Sequence, residues 1–174
     1  MMSKSFIISC TLLMIVCSGC EKDKIEIIMP PETTIGAHTF GCYVNNYLFV
    51  HPTFKGLAGP GTLIARYFPD DNLLIINAQD YNMRQIVISD SIAEVGKTHR
   101  VISAQYMDEK KNVFNTNDEL FAEIHLTELD TVNLFVSGRF SFKAKHIKSD
   151  SIITVTDGRF DVRLFEYWYR AMNK

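Results

Sequence analysis

The chain has 174 residues, 18 basic and 20 acidic side chains, and a formal charge of −2 at pH 7. That near-balance creates no long-range basic field, which argues against nucleic acid as a partner. The length suits one domain that buries a core of its own without covalent staples.

The first stretch, MMSKSFIISCTLLMIVCSGC, has a positive start at Lys4, an apolar run from Phe6 to Val16 and the small pair Ser18-Gly19 ahead of Cys20. The apolar run falls short of the roughly 20 residues that a membrane-spanning helix needs, and it fits the core of a secretory signal. The segment resembles a bacterial lipoprotein signal peptide, which implies cleavage before Cys20 and acylation of that cysteine. Cys10 and Cys17 lie in the leader, so Cys42 is the one remaining thiol. An exported chain with a single thiol forms no intramolecular disulfide. Cys42, within FGCYV, reads as a small buried apolar side chain.

Residues 21–35, EKDKIEIIMPPETTI, read as a tether, because Pro30-Pro31 block both helix and central strand. Glu21 and Asp23 loosely resemble the acidic signal that sends Bacteroidetes lipoproteins to the cell surface. The expected division is a signal peptide over 1–19, lipidated Cys20 with a tether over 20–35, and a β domain over 36–174.

From Gly36 onward the pattern alternates with period two, as half-buried strands do. HTFGCYV (38–44) and YLFVHP (47–52) flank Asn45-Asn46 and form a first hairpin. The glycine-rich KGLAGPG (55–61) lacks the Lys-Ser/Thr and following helix of a phosphate loop and reads as a plain loop. LIARYF (63–68), the turn PDDN and LLIINA (73–78) make a second hairpin, with MRQIVIS (83–89) as a further strand. SIAEVGK (91–97) is the single candidate for a helical turn, and HRVISAQYM (99–107) reads as one strand closed by DEKKN.

In ELFAEIHL (119–126), Leu120, Ala122, Ile124 and Leu126 share a face. In VNLFVSGRFSFKA (132–144), so do Val132, Leu134, Val136, Phe140, Phe142 and Ala144. Matching these faces requires antiparallel partners whose numbers sum to an even value, hence an odd connecting loop of about three residues. Phe121 and Phe135 fall on the opposite, polar face, as the floor of a binding patch or beneath a covering segment; cover is the preferred reading.

The phrase SGRFSF (137–142) returns as DGRFDV (157–162). Asp157-Gly158 suits a hairpin turn, yet residues 152–164 also alternate as one strand. The continuous strand is preferred, with Gly138 set against Gly158 and both glycines marking a bend or close backbone approach. Arg139 and Arg159 either grip an anion together or neutralise Asp161 and Asp157 at the surface; the second reading is preferred. The aromatic tail FEYWYRAMNK is placed over an open sheet edge.

GAHTFGCYVNN near the start, with SGRFSF and TDGRFDV near the end, resembles a family of uncharacterised Bacteroidetes lipoproteins. In that family a Thr-Phe-Gly-Cys, Val-Asn motif opens a β-rich domain and a Gly-Arg-Phe-Asp motif ends it. The resemblance spans roughly residues 36–164 and implies fold and compartment, with no catalytic or binding residues to carry over.

Metal, nucleophile and base signals are weak throughout. His38, His51, His99, His125 and His146 lack the spacing that puts two imidazoles on one ion. His125, beside Glu123, reads as a solvated cross-strand neighbour. NTNDE (115–119) reads as a polar turn rather than a calcium loop. The expectation is an all-β chain, a single antiparallel β-sandwich or flattened barrel of about eight to ten strands. Lipid at Cys20 holds it on the outer membrane, at the periplasmic or cell-surface face, as a binding module for a small ligand or glycan. The alternative is a structural or accessory subunit docked to another envelope protein. No enzyme activity, catalytic residue, metal or cofactor is expected. Replacing Cys20 (Cys20→Ser) should abolish labelling by radioactive palmitate and move the protein to the soluble fraction, whereas unchanged membrane fractionation contradicts the anchor.

Overall fold

The computed structural model describes residues 27–52, 62–92 and 94–165. The signal segment, Cys20, residues 21–26, the whole glycine-rich loop, Ala93 and the tail from 166 lie outside the described residues. The described chain is all-β, as the alternation predicted. Its strands are β1 (Thr39–Val44), β2 (Tyr47–Val50), β3 (Leu63–Phe68), β4 (Leu73–Gln79), β5 (Gln85–Ser91), β6 (Thr98–Arg100), β7 (Ser103–Met107), β8 (Val113–Asn115), β9 (Ala122–Asp130), β10 (Phe135–His146) and β11 (Ile152–Arg163).

They form one antiparallel sheet in the order β2-β1-β11-β10-β8-β7-β5-β4-β3. β10 is shared, since its first part pairs with β9 and its last residues, Lys145 and His146, pair with β8. β9 in turn carries β6. The sheet curls into a half-barrel, and a parallel bridge between Ala65 and Leu164 brings β3 onto the end of β11. The Phe165 amide donates to the Ala65 carbonyl at 2.8 Å beside it. One continuous core fills the concave side, with Phe40, Phe49, Leu74, Ile76, Ile86, Ile88, Ile124, Leu126, Val136, Val155 and Val162 fully buried.

Two boundaries differ from the sequence reading. Residues 99–107 are two strands rather than one, because the chain leaves β9 at Val101-Ile102 and joins β5 and β8 as β7. Among the described residues of 91–97 there is no helix; Ser91 ends β5 and a turn follows at 95–97. These short strands raise the count above the expected number. Cys42 is wholly buried, as predicted, and burial pushes its thiol pKa well up.

The β9–β10 register needs a correction. The connection occupies 131–134, and the first pairs, Phe135 with Asp130 to Ser137 with Glu128, sum to odd values. A β-bulge at Thr127 then restores the even-sum register from Gly138–Leu126 onward. Parity thus held where the core faces meet, and the bulge absorbed the even loop. Val132, assigned to the core face, stands 87% exposed in that connection.

β11 is the continuous strand, yet Gly138 does not face Gly158. Gly138 pairs with Phe160, Arg139 with Arg159, and Phe140 with Gly158. The two Gly-Arg-Phe phrases therefore lie antiparallel about the arginine pair, each phenylalanine seated over the other's glycine. A Cβ at Gly138 would lie 2.5 Å from the His125 carbonyl oxygen and 2.9 Å from Phe160 Cζ. One at Gly158 would lie 2.5 Å from the Phe140 carbonyl oxygen. Neither place admits a side chain. Gly138→Val should lower the unfolding free energy by about 1–3 kcal/mol or more. A urea midpoint equal to the parent's contradicts this fit.

Candidate functional site: an arginine pair under a strap

Because the inward residues of β10 and β11 are phenylalanines and aliphatics, the alternate positions reach the convex face. Arg139, Ser141 and Lys143 point outward from β10, while β9 adds Glu123 and His125 and β11 adds Thr156 and Arg159. Phe121, just before β9, is 43% exposed, and the Arg100 guanidinium lies over its ring at 5.1 Å. An open groove of about 640 Å³ runs over the arginine pair, lined by Glu32, Thr98, Glu123, His125, Arg139 and Arg159 among others. A second groove of about 430 Å³ shares Glu123 and Ser141 with it and continues to Phe121, Lys143 and Thr154. The two adjoin on the outer sheet face at these shared residues.

The described part of the expected tether does not hang free. Pro30 is buried, and a Cβ at Gly41 would come within 2.6 Å of Pro30 Cδ, so glycine makes room for the strap on β1. Beyond it, Asp161 fixes the chain. Its carboxylate accepts from the Thr33 hydroxyl (2.6 Å), the Ile35 amide (3.1 Å), the Gly36 amide (2.9 Å), the Ala37 amide (3.0 Å) and the Ser137 hydroxyl (2.7 Å). The Arg163 Nε donates to the Gly36 carbonyl at 3.0 Å alongside. Asp161 is 1% exposed and Ser137 is fully buried, although both belong to the convex face by parity. The strap, not the core, buries them. Burial alone would raise the Asp161 pKa, but the Thr33, Ala37, Ser137 and Ile35 hydrogen bonds outweigh it and the net shift is downward.

Between these two anchors Glu32 forms a bidentate pair with Arg139, through Nε and, at 2.6 Å, through Nη2. The Arg159 Nη1 donates to the Pro30 carbonyl at 3.3 Å. The two arginines thus meet strap groups, and the expectation that they neutralise Asp161 and Asp157 gives way. Asp161 is held by hydroxyls and amides, and the arginine carboxylate partner is Glu32.

The other sequence candidates scatter. Phe121 and Phe135 sit at opposite ends of the β9–β10 pair: Phe121 stays half-exposed, while Phe135 is buried against the strap at Gly36. His125 approaches the Thr98 hydroxyl at 3.3 Å on the groove wall. His99 Nε2 lies 3.0 Å from both oxygens of fully buried Asp90, which stitches β6 to β5. His38 and His51 meet edge to face at 6.2 Å. His146 bonds Ser149 in the β10–β11 turn. Asn117 in NTNDE accepts the Glu119 and Leu120 amides, as a polar turn does. Among the described residues no three His, Cys, Asp or Glu side chains come together to hold a metal ion. Comparison with family models, curated protein sequences and solved structures returns no match.

Two pH windows follow from this chemistry. Because its folded pKa is depressed, Asp161 contributes stability that is complete above the unfolded value of about 3.9 and is lost as pH falls through the folded one. Asp161→Asn should lower the unfolding free energy near neutrality by about 2–4 kcal/mol and flatten the acid limb below about pH 4. Burial also lowers the pKa of His38 and His51. Here the unfolded chain takes up protons first, so stability should begin to fall as pH drops below about 6.5. Denaturant titrations across pH check both. An acid limb in Asp161→Asn as steep as the parent's contradicts the carboxylate assignment.

Proposed function

We propose that the chain is an outer-membrane lipoprotein, held by acyl chains on Cys20, whose β domain binds an oligosaccharide on its convex face. The observation that carries this reading is the groove pair over β9, β10 and β11. It combines paired guanidinium groups, carboxylates, hydroxyls and one half-exposed aromatic ring. Oligosaccharides need this mixture: many hydroxyl donors and acceptors to satisfy, and an apolar ring face on which a sugar's C–H surface rests.

The accessory-subunit reading draws on a different observation. β2 ends the strand order, and its Tyr47 is 74% exposed, where a partner strand or loop can add. The Arg84 guanidinium donates to the Leu48 carbonyl at 2.9 Å and partly closes that edge, which weakens the case. The convex face is therefore preferred.

Screening the purified protein against neutral and acidic oligosaccharides tests the reading. At least one class should bind, and Phe121→Ala should weaken it roughly two- to ten-fold. Failure of every saccharide to bind, or a Phe121→Ala variant that binds as well as the parent, contradicts it.

A further inference from the structure

Resting on that reading, the geometry points to an acidic saccharide as the ligand, its carboxylate taken by Arg139 and Arg159, with Glu32 occupying this place in the free protein. Two arginines directly opposite one another across an antiparallel pair repel and destabilise the sheet. A fold that needed only the strand pairing would be served better by neutral or oppositely charged residues. Set opposite one another and lining one groove, the two arginines bring to one patch guanidinium forks that match an oxyanion.

The chain itself displays the ligand chemistry. Glu32 offers a carboxylate to the Arg139 fork in bidentate geometry, and the neighbouring Pro30 carbonyl takes the Arg159 Nη1. A uronic acid carboxylate would adopt the Glu32 arrangement on the Arg139 fork, with Arg159 beside it. Glu123 and Asp157 also line the groove and Glu119 the adjoining one. Glu123 lies opposite Arg100 in the β6–β9 pair, and carboxylates on a groove wall accept sugar hydroxyls.

Glu32 is placed to yield. Its side chain is 42% exposed and that of Arg139 65%, and exposed ion pairs hold weakly because water and salt screen them. The strap on either side is held independently, by Pro30 seated against Gly41 and by the Asp161 cluster. The Glu32 side chain therefore leaves Arg139 without undocking the strap, while Arg159 keeps Nη1 on the Pro30 carbonyl and offers its other N–H groups. An internal carboxylate that must be displaced lowers apparent affinity by the fraction of time it occupies the site.

The test is calorimetric titration of the full-length protein in detergent with an oligogalacturonate and with its fully methyl-esterified form. The acid should bind at least roughly ten-fold tighter than the ester and weaken as salt is added. Glu32→Gln should bind the acid roughly two- to five-fold tighter than the parent. Arg139→Gln and Arg159→Gln should each lose roughly ten-fold or more. Equal binding of acid and ester overturns the acidic class while leaving the sheet-face reading intact. Unchanged or weaker binding by Glu32→Gln overturns the placeholder role, and that variant leaves the Asp161 cluster and the strand pairing in place. If neither form binds, the inference falls, and the wider saccharide screen decides whether the binding reading falls with it.

Discussion

The fit of two phenylalanines onto two glycines sets the rest of this molecule. Phe160 lies over Gly138 and Phe140 over Gly158, so β10 and β11 pair in one register, with Arg139 against Arg159 between them. Shifting either strand by one residue would turn the phenylalanines outward and carry the guanidinium groups into an apolar core. A two-residue slip would instead bring the glycines together and leave both rings without their seats. From this one interlock follow the buried face of β10, the charged face opposite it, and the juxtaposition of Ser137 and Asp161 two steps along.

That juxtaposition anchors the chain that precedes the sheet. An isolated buried carboxylate is costly, and Asp161 is tolerable because hydroxyls and amides from the strap and from β10 surround it. The relation is reciprocal, since three strap amides would lack partners without the carboxylate. The strap thus behaves as part of the domain, deep at Asp161 and shallow at Glu32. This difference in depth lets one segment be both a structural cover and a displaceable occupant of the groove.

Much of the architecture was legible from alternation. The strands at 39–44, 47–50 and 63–68, the preferred continuity of 152–164 and the inward set of Ala122, Ile124, Leu126, Phe140 and Phe142 all follow from period two and turn chemistry. The repeat of Gly-Arg-Phe was visible, and its meaning was missed by two residues, because sequence shows that two glycines matter and not which atoms fill the space above them. The β9–β10 loop misled for a similar reason: a bulge at Thr127 leaves no composition signal of its own. The Asp161 cluster was illegible, since its donors at 33–37 lie more than a hundred residues away and parity marks Asp161 as solvated. Glu32 was hidden likewise, in a stretch whose prolines and alternating charges read as a tether.

The central claim is that Arg139 and Arg159 act together as the ligand site on the convex face. It is tested most directly by following the arginine Nε–H resonances of isotopically labelled protein during titration with oligogalacturonate. Arg84 Nε donates to buried Asp80, and Arg163 Nε donates to the Gly36 carbonyl, so both report on the fold rather than on the groove. The account predicts that the Arg139 and Arg159 signals move together and saturate while those of Arg84 and Arg163 stay in place. Signals of Arg139 and Arg159 that do not move, or that move no more than those reference arginines, would contradict it.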